Sequence, residues 1–257
     1  MLAGLTRSAG ASVHIPRLPE PADEAHAIAQ VLGGKSEIYL RERAQEKTVK
    51  TVDLKSARYV HFATHGLLGG EFLQLKESAQ TNGDDTPPGE RTRTLAVVAT
   101  GPRNEPSAED APETGARGGQ PALALTLVGD LQGEDGLLTM REVIEALNLN
   151  AELVVLSACN TAGEGAQARN GEGFAGLTRG FMYAGARGLL VSHWSVESVS
   201  TQELITEVFR GLKTGQDAPT ALHAAREKIQ KSLDTTGGRR FSRAHPYFWA
   251  PFVYVGD

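Results

Sequence analysis

The sequence has little of several features that would point to particular classes of protein. It has one cysteine in 257 residues, which excludes an internal disulfide and a zinc site built from several cysteines. No apolar run approaches the roughly 18 residues of a membrane-spanning helix, and no secretory leader opens the sequence. We therefore expect a cytoplasmic protein that does not act in a membrane.

Clustered positive charge is also missing. The chain has 26 basic and 31 acidic residues, a formal charge of −5, and its short basic groups form no block. Because nucleic-acid-binding surfaces are usually basic, we expect no direct nucleic-acid partner. The sequence also lacks a phosphate-binding G-x-x-x-x-G-K-[ST] motif and the metal-binding motif HExxH. We expect neither a cofactor nor a metal site.

The hydrophobic residues that are present, 40% of the chain, suffice for a sizeable core. Apolar runs typical of buried strands alternate with amphipathic, helix-like stretches. The predicted strands are SEIYL, YVHFATHG, ALALTLVG, ELVVLSA, RGLLVSHW and a last one within FWAPFVYVG. This alternation predicts an α/β sandwich with a mostly parallel sheet.

Two further features concern organisation along the chain. Residues 76–121 are rich in glycine, proline and acidic residues, which predicts a flexible insertion within a single domain spanning residues 1–257. The stretch TMREVIEALNL is predicted to be a helix, with Thr139 as its N-cap and Glu142 at the capping-box position.

The single cysteine stands where a predicted strand ends. Cys159 follows ELVVLSA, His65 and Gly66 close YVHFATHG, and His193 and Trp194 close RGLLVSHW. Because working residues in open parallel sheets collect at the carboxyl ends of the strands, His65 and Cys159 would share one edge if their strands are neighbours. The sequence thus predicts a Cys-His dyad.

These residue types suit nucleophilic catalysis. A thiolate attacks a carbonyl readily, and a histidine can protonate a leaving amine at neutral pH. The backbone N–H groups of Gly66 and Cys159 are the predicted oxyanion donors. Two alternatives remain open: Cys159 as a small buried hydrophobe, and His65 as a structural histidine of the kind we expect at His61, which should pack internally.

A second motif, GEGFAG at 171–176, formally matches the dinucleotide fingerprint G-x-G-x-x-G. About ten residues separate it from the preceding predicted strand, whereas the fingerprint requires an immediate turn. Its glycines are better explained by close packing of the helix that follows.

Several long stretches together resemble the CHAT domain, a caspase-like cysteine protease domain of the separase and caspase clan. They are YVHFATHG, DGLLTMREVIEALNLNAELVVLSACNTAGEG, GEGFAGLTRGFMYAGARGLLVSHWSV and HPYFWAPFVYVGD. The resemblance implies a caspase-like three-layer α/β/α sandwich with His65 and Cys159 as the catalytic dyad of an endopeptidase. Ala162 stands where the family usually has glycine.

The resemblance also suggests where a substrate would bind. In relatives that prefer basic residues, an acid two positions before the cysteine helps line the pocket, and here that position is Ser157. The candidates for another wall of the pocket are Ser192, His193, Trp194 and Glu197.

The resemblance suggests partners and setting as well. The expected partners are a protein or peptide substrate and an activating partner or sensor module such as TPR repeats, because CHAT domains commonly follow such modules. Relatives act in bacterial defence. The chain is therefore expected to be part of a larger protein or complex. A catalytically silent interaction module and a hydrolase of small amides remain alternatives.

Overall fold

The computed structural model describes residues 21–67, 121–126, 133–158, 174–194, 198–234 and 241–257. The helices are α1 (Pro21–Leu32), α2 (Glu46–Thr51), α3 (Met140–Ala146), α4 (Phe174–Tyr183), α5 (Ser198–Lys213) and α6 (Ala218–Gln230). The strands are β1 (Tyr59–Leu67), β2 (Ala122–Ala124), β3 (Leu137–Thr139), β4 (Leu153–Ala158), β5 (Gly188–Ser192), β6 (Leu233–Asp234), β7 (Phe241–Ser242) and β8 (Phe252–Gly256). Short 3-10 turns lie at Arg41–Arg43 and Pro246–Phe248.

The main sheet has six strands in the order β3-β2-β1-β4-β5-β8. Its centre is parallel, because β4 pairs in parallel with both β1 and β5. Strands β2 and β8 run antiparallel to their neighbours and β3 reverses again, so four of the six strands point the same way. The α/β class and the mostly parallel sheet are confirmed.

Helices cover both faces of the sheet because its central strands are apolar on both sides. On one face Phe62 and Leu156 pack in a core with Leu177 and Phe181 of α4. On the other face Val155 packs in a second core with residues of α1, α5 and α6. The result is the predicted three-layer sandwich.

Local sequence signals set several helix ends. The capping box of α3 is present, with Thr139 accepting from the Glu142 N–H and Glu142 accepting from the Thr139 N–H. Helix α4 stops before Gly185, whose φ of +109° favours glycine. A Cβ at Gly180 would lie 3.2 Å from the Met140 side chain, so this small residue lets α4 approach α3, rather than the sheet, closely.

Two predictions have a different outcome, and a third is not tested. The stretch SEIYL forms no strand, since only Tyr39 makes an isolated bridge. Strand β1 continues past His65 to Leu67, because β2 pairs with its last three residues. The predicted insertion at 76–121 lies outside the described residues except for Pro121.

Among the helices of the described ranges, none combines the length and the apolar character that crossing a membrane requires.

Candidate functional site

The register of the central strands brings the predicted site residues to one edge of the sheet. Strands β1 and β4 pair in parallel from Tyr59 and Leu153 as far as Thr64 and Ala158. His65 is therefore the next residue of β1 beyond the last paired position. The strand-end location that the sequence predicted for His65 thus corresponds to the end of its pairing with β4, although β1 itself continues.

His65 and Gly66 are held from the other side of β1. They pair with Ala124 and Leu123 of the antiparallel strand β2. Both residues are partly buried, so neither is freely exposed nor sealed in the core. The buried Thr64 hydroxyl donates to the carbonyl of Ala124, which ties β1 to β2 immediately before the histidine.

Cys159 follows Ala158 directly in the chain, but Cys159 and Glu197 lie outside the part of the chain that the structure describes. The predicted dyad of His65 and Cys159, and the predicted oxyanion donors Gly66 and Cys159, therefore stay predictions. The same holds for Glu197 as a substrate-binding residue.

Ser157 lies on β4 opposite Ala63 and is partly buried. Its hydroxyl donates to Oε2 of Glu24 on α1 over 3.3 Å. The other carboxylate oxygen, Oε1, lies 3.0 Å from Nε2 of His61. Glu24 thus bridges the two strands that lead to the site. His61 is buried, as expected, and its ring also lies edge-on to Phe209.

Glu24 is the residue that the sequence analysis missed. It is 4% exposed and belongs to the first turn of α1. A signal was available, because Glu24 precedes the buried Ile28 by four residues and hence lies on the apolar face of the helix. An acid on that face predicts a buried partner.

The three described candidates at the end of β5 have different environments. Ser192 is fully buried, and its hydroxyl donates to the carbonyl of Ala158. His193 and Trp194 are exposed, the tryptophan by 38%, and the His193 N–H donates to the carbonyl of Pro251. The two exposed residues are thus open to a ligand. Ser192 has an interior position, and its role in substrate binding stays a prediction.

A group of carboxylates lies beside β3, the outermost strand of the sheet on the side of β1 and β2. Glu46, Glu134 and Glu142 have carboxylate oxygens within 4.8 Å of one another, as a metal ion would need. The ammonium of Lys50 already lies among them, 2.6, 2.8 and 3.2 Å from the three. Lys50 thus supplies the positive charge that an ion would bring.

The electrostatics of this group follow from burial. Burial raises the pKa of Glu46 to about 8, against the lowering effect of the Lys50 ammonium. Burial acts in the same direction on Glu142, but hydrogen bonds from Thr139 and the charge of Lys50 keep its pKa below the usual value. Burial thus favours the protonated form of Glu46.

An open cleft of about 770 Å³ lies at the opposite edge of the sheet. It is lined by the first residues of β1 and β4, Tyr59 and Leu153, and by Arg187 just before β5. The amino ends of the parallel strands form this cleft, whereas His65 and Ser192 lie at the carboxyl ends. The cleft and the predicted catalytic edge are separate.

Comparisons with known proteins agree with this architecture. The sequence matches the CHAT domain over residues 4–257. It is similar to Tetratricopeptide repeat protein 28 of Homo sapiens, with 28% identity over 243 residues that cover 93% of this chain and 8% of that protein. The Mus musculus protein of the same name is 27% identical over 240 residues, covering 93% of this chain and 9% of its own length.

The chain therefore spans less than a tenth of the length of these curated relatives. The family match, by contrast, covers almost all of this chain. The protein belongs to the CHAT domain family, which is related to the caspase-like cysteine peptidases.

Proposed function

We propose that this chain is a cysteine endopeptidase that cleaves a protein or peptide substrate with His65 and Cys159. The observation that supports the proposal is the parallel register of β1 and β4. Its last pair, Thr64 with Ala158, immediately precedes the histidine on one strand and the cysteine on the other. Residues at the ends of adjacent parallel strands lie roughly 5 Å apart, within reach of one peptide bond.

The proposed reaction has two steps. The Cys159 thiolate attacks the scissile carbonyl carbon, and the N–H groups of Gly66 and Cys159 stabilise the oxyanion. His65 gives a proton to the leaving amine as the C–N bond breaks, which leaves a thioester. Water then attacks the thioester and His65 accepts its proton; the C–S bond breaks, the acid product leaves, and the Cys159 thiolate and the protonated His65 are restored. No metal or cofactor is required.

The proposal extends to the substrate and the setting. The exposed Trp194 and His193 offer an aromatic and polar wall for a peptide side chain, with Glu197 beside them in sequence. We also propose that residues 1–257 form a single domain of a larger protein and that this domain acts in the cytoplasm. Regulation by a partner, as in a bacterial defence pathway, also belongs to it.

The alternative function is an interaction module without catalysis. The names of the two relatives favour it, since both are called tetratricopeptide repeat proteins and neither name states an enzymatic activity. In that case the fold would serve as a docking unit attached to repeats. The thiol of Cys159 would then react like an ordinary cysteine.

The first experiment measures cleavage of a peptide library by mass spectrometry. We expect discrete cuts with the wild type and none with Cys159→Ala, while His65→Ala lowers the rate by at least about 100-fold. His223→Ala is a matched control, because this exposed histidine lies on α6, away from the site, and should leave the rate unchanged. Thermal unfolding of each variant checks that the fold is retained.

Reactivity of the thiol separates the two functions. The chain has a single cysteine, so iodoacetamide reports on Cys159 alone and Cys159→Ala gives the blank. A peptidase predicts labelling that is faster than that of free cysteine and slower in His65→Ala. Cuts that persist in both dyad variants would disprove the proposed chemistry. Ordinary reactivity without cuts would favour the interaction module.

A further inference from the structure

We propose that the cleft of about 770 Å³ at the amino ends of the parallel strands docks an extended segment of a partner protein with basic and apolar side chains. We call it the amino-end cleft. It lies at the opposite edge of the sheet from His65 and Ser192, so the proposal does not depend on the proposed cysteine chemistry. Its volume is within the range of about 300–1,000 Å³ that is usual for ligand-binding clefts.

Apolar side chains from all three layers form much of the amino-end cleft. Leu153 stands at the start of β4, and Leu212 lies near the end of α5. Ala218 and Pro219 begin α6 in the same helical layer, whereas Met182 belongs to α4 on the other face of the sheet. The cleft thus runs across the end of the sheet from one helical layer to the other, which suits a few residues of an extended chain.

Tyr254 of β8 is placed in the cleft by two glycines. Gly188 and Gly256 are paired across β5 and β8, and a Cβ at either position would lie 2.6 Å from the Tyr254 hydroxyl oxygen. The ring therefore covers both glycines, and its hydroxyl reaches the cleft, where it donates to the backbone carbonyl of Asp257. A tyrosine at this position provides both an apolar surface and a polar group.

Two carboxylates beside this ring lack a basic partner in the described part of the chain. Burial raises the pKa of Tyr254, and the charges of Asp257 and Asp217 raise it further, so both carboxylates lie near the same hydroxyl. No ion pair among the described residues involves either aspartate. Arg187, which also lines the cleft, donates instead to the side chain of Asn150. This end of the cleft is therefore negative and complements a lysine or arginine side chain.

Exposed apolar side chains extend the cleft on the side of α4. Met182 is 38% exposed, and Tyr183, the next residue, is 78% exposed. Glu152, the third acid of the lining, already pairs with Arg58 over 2.8 Å. A small cation would leave these apolar groups in water, whereas a peptide with basic and apolar side chains covers both parts. The combination favours a protein partner over a small molecule.

Methyl NMR on the full chain tests the docking. The chain has three methionines, Met1, Met140 and Met182, so methyl-¹³C methionine gives one signal in the cleft and one in the core, where Met140 packs against α4. The Cys159→Ala variant is used throughout, so that no probe is cleaved. The probes are acetylated, amidated hexapeptides in which leucine alternates with arginine, with glutamine or with glutamate. Arginine amide is the small-molecule probe.

We expect the arginine peptide to shift the Met182 signal saturably and to leave the Met140 signal in place. The glutamine peptide should bind about 10-fold more weakly, because it forms no ion pair with the two aspartates, and the glutamate peptide more weakly still. Arginine amide should also bind at least about 10-fold more weakly than the arginine peptide, because it leaves the apolar surface uncovered.

A Met182 signal that no peptide moves, or that all three peptides move with equal affinity, would overturn the proposal. Arginine amide that binds as tightly as the arginine peptide would overturn the protein partner in favour of a small cation. Neither result bears on cleavage by the wild type, so a failure of this proposal is distinct from a failure of the proposed function.

A substitution at the acidic end tests the role of charge. Asparagine is as good an N-cap as aspartate, so Asp217→Asn removes the charge and keeps the cap of α6, in which Asp217 accepts from the Thr220 N–H. We expect the arginine peptide to bind this variant about 3-fold more weakly and the glutamine peptide to bind it unchanged. The matched control is Asp135→Asn, since the exposed Asp135 likewise accepts from a backbone N–H, that of Leu137 at the start of β3. Equal affinities of the arginine peptide for the two variants would contradict the proposal.

Discussion

At the scale of the residue, Glu24 connects helix α1 to the two strands that lead to the site. One carboxylate oxygen lies against His61 of β1 and the other accepts from Ser157 of β4, so a single side chain of α1 contacts both strands. A buried charge or polar group without partners is costly, which makes this contact a constraint on how α1 lies on the sheet.

Replacing Glu24 should therefore cost stability. We expect Glu24→Ala to lower the free energy of unfolding by about 2 kcal/mol, because it leaves the Ser157 hydroxyl without its acceptor and removes the carboxylate beside the buried His61. Urea denaturation followed by circular dichroism measures the loss. Glu37→Ala is the control, since Glu37 is exposed and its bond to Tyr39 is local. Equal midpoints for the two variants would show that the Glu24 contacts contribute nothing.

At the scale of the element, α3 shows how a short helix starts at a defined residue. Its N-cap Thr139 is also the last residue of β3, so the capping box turns the chain from strand to helix without a loop. The Glu142 carboxylate accepts from both the N–H and the hydroxyl of Thr139, over 2.9 and 2.6 Å. Capping thus fixes the orientation of α3 against the edge of the sheet.

Removing this cap should have a modest but measurable effect. We expect Thr139→Ala to destabilise the protein by about 1 kcal/mol, because the Glu142 N–H at the start of α3 loses its acceptor. The matched control is Thr51→Ala, whose exposed hydroxyl bonds within its own helix to the Lys47 carbonyl. Thermal unfolding of both variants provides the comparison. If Thr51→Ala lowers the stability as much as Thr139→Ala does, a specific capping effect is ruled out.

At the scale of the whole molecule, the carboxylates around Lys50 make stability depend on pH. Glu46 is almost fully buried and also accepts from the N–H of Gly136 before β3. Its pKa is near 4.5 ordinarily and about 8 in the folded chain. The folded state therefore binds this proton more tightly than the unfolded state. The corresponding stabilisation is complete below pH 4.5 and is lost as the pH rises through about 8.

The comparison of wild type with Glu46→Gln isolates this effect. We expect the glutamine variant to gain stability relative to the wild type between about pH 5 and about pH 9, because glutamine has no proton to lose. Urea denaturation of both proteins at each of the two pH values measures this difference in stability. Glu145→Gln is the control, since Glu145 is exposed and pairs with Arg141. A difference between wild type and Glu46→Gln that does not vary with pH would contradict the raised pKa of Glu46.

The sequence by itself determined the elements and the class of the fold. Some sequence patterns involve only a few neighbouring residues, so they can be recognised without knowing the fold. They include apolar runs long enough for buried strands, helical periodicity, and the capping box of Thr139 and Glu142. The short stretch SEIYL was predicted incorrectly, because strand propensity produces a strand only where a neighbour pairs along its whole length. The ends of two predicted strands pointed to His65 and Cys159 as a dyad, and the family resemblance implied the same pair.

Only the tertiary structure decided which strands are neighbours and which side chains meet between layers. The pairing of Thr64 with Ala158, the bridge from Glu24 to both strands, and the burial of Ser192 against the Ala158 carbonyl join residues 34 to 133 positions apart. Such contacts depend on the register and on the packing of whole elements, and no local pattern encodes them. The physical reason is that the side chains at these positions are buried by, and hydrogen-bonded to, residues of other helices and strands.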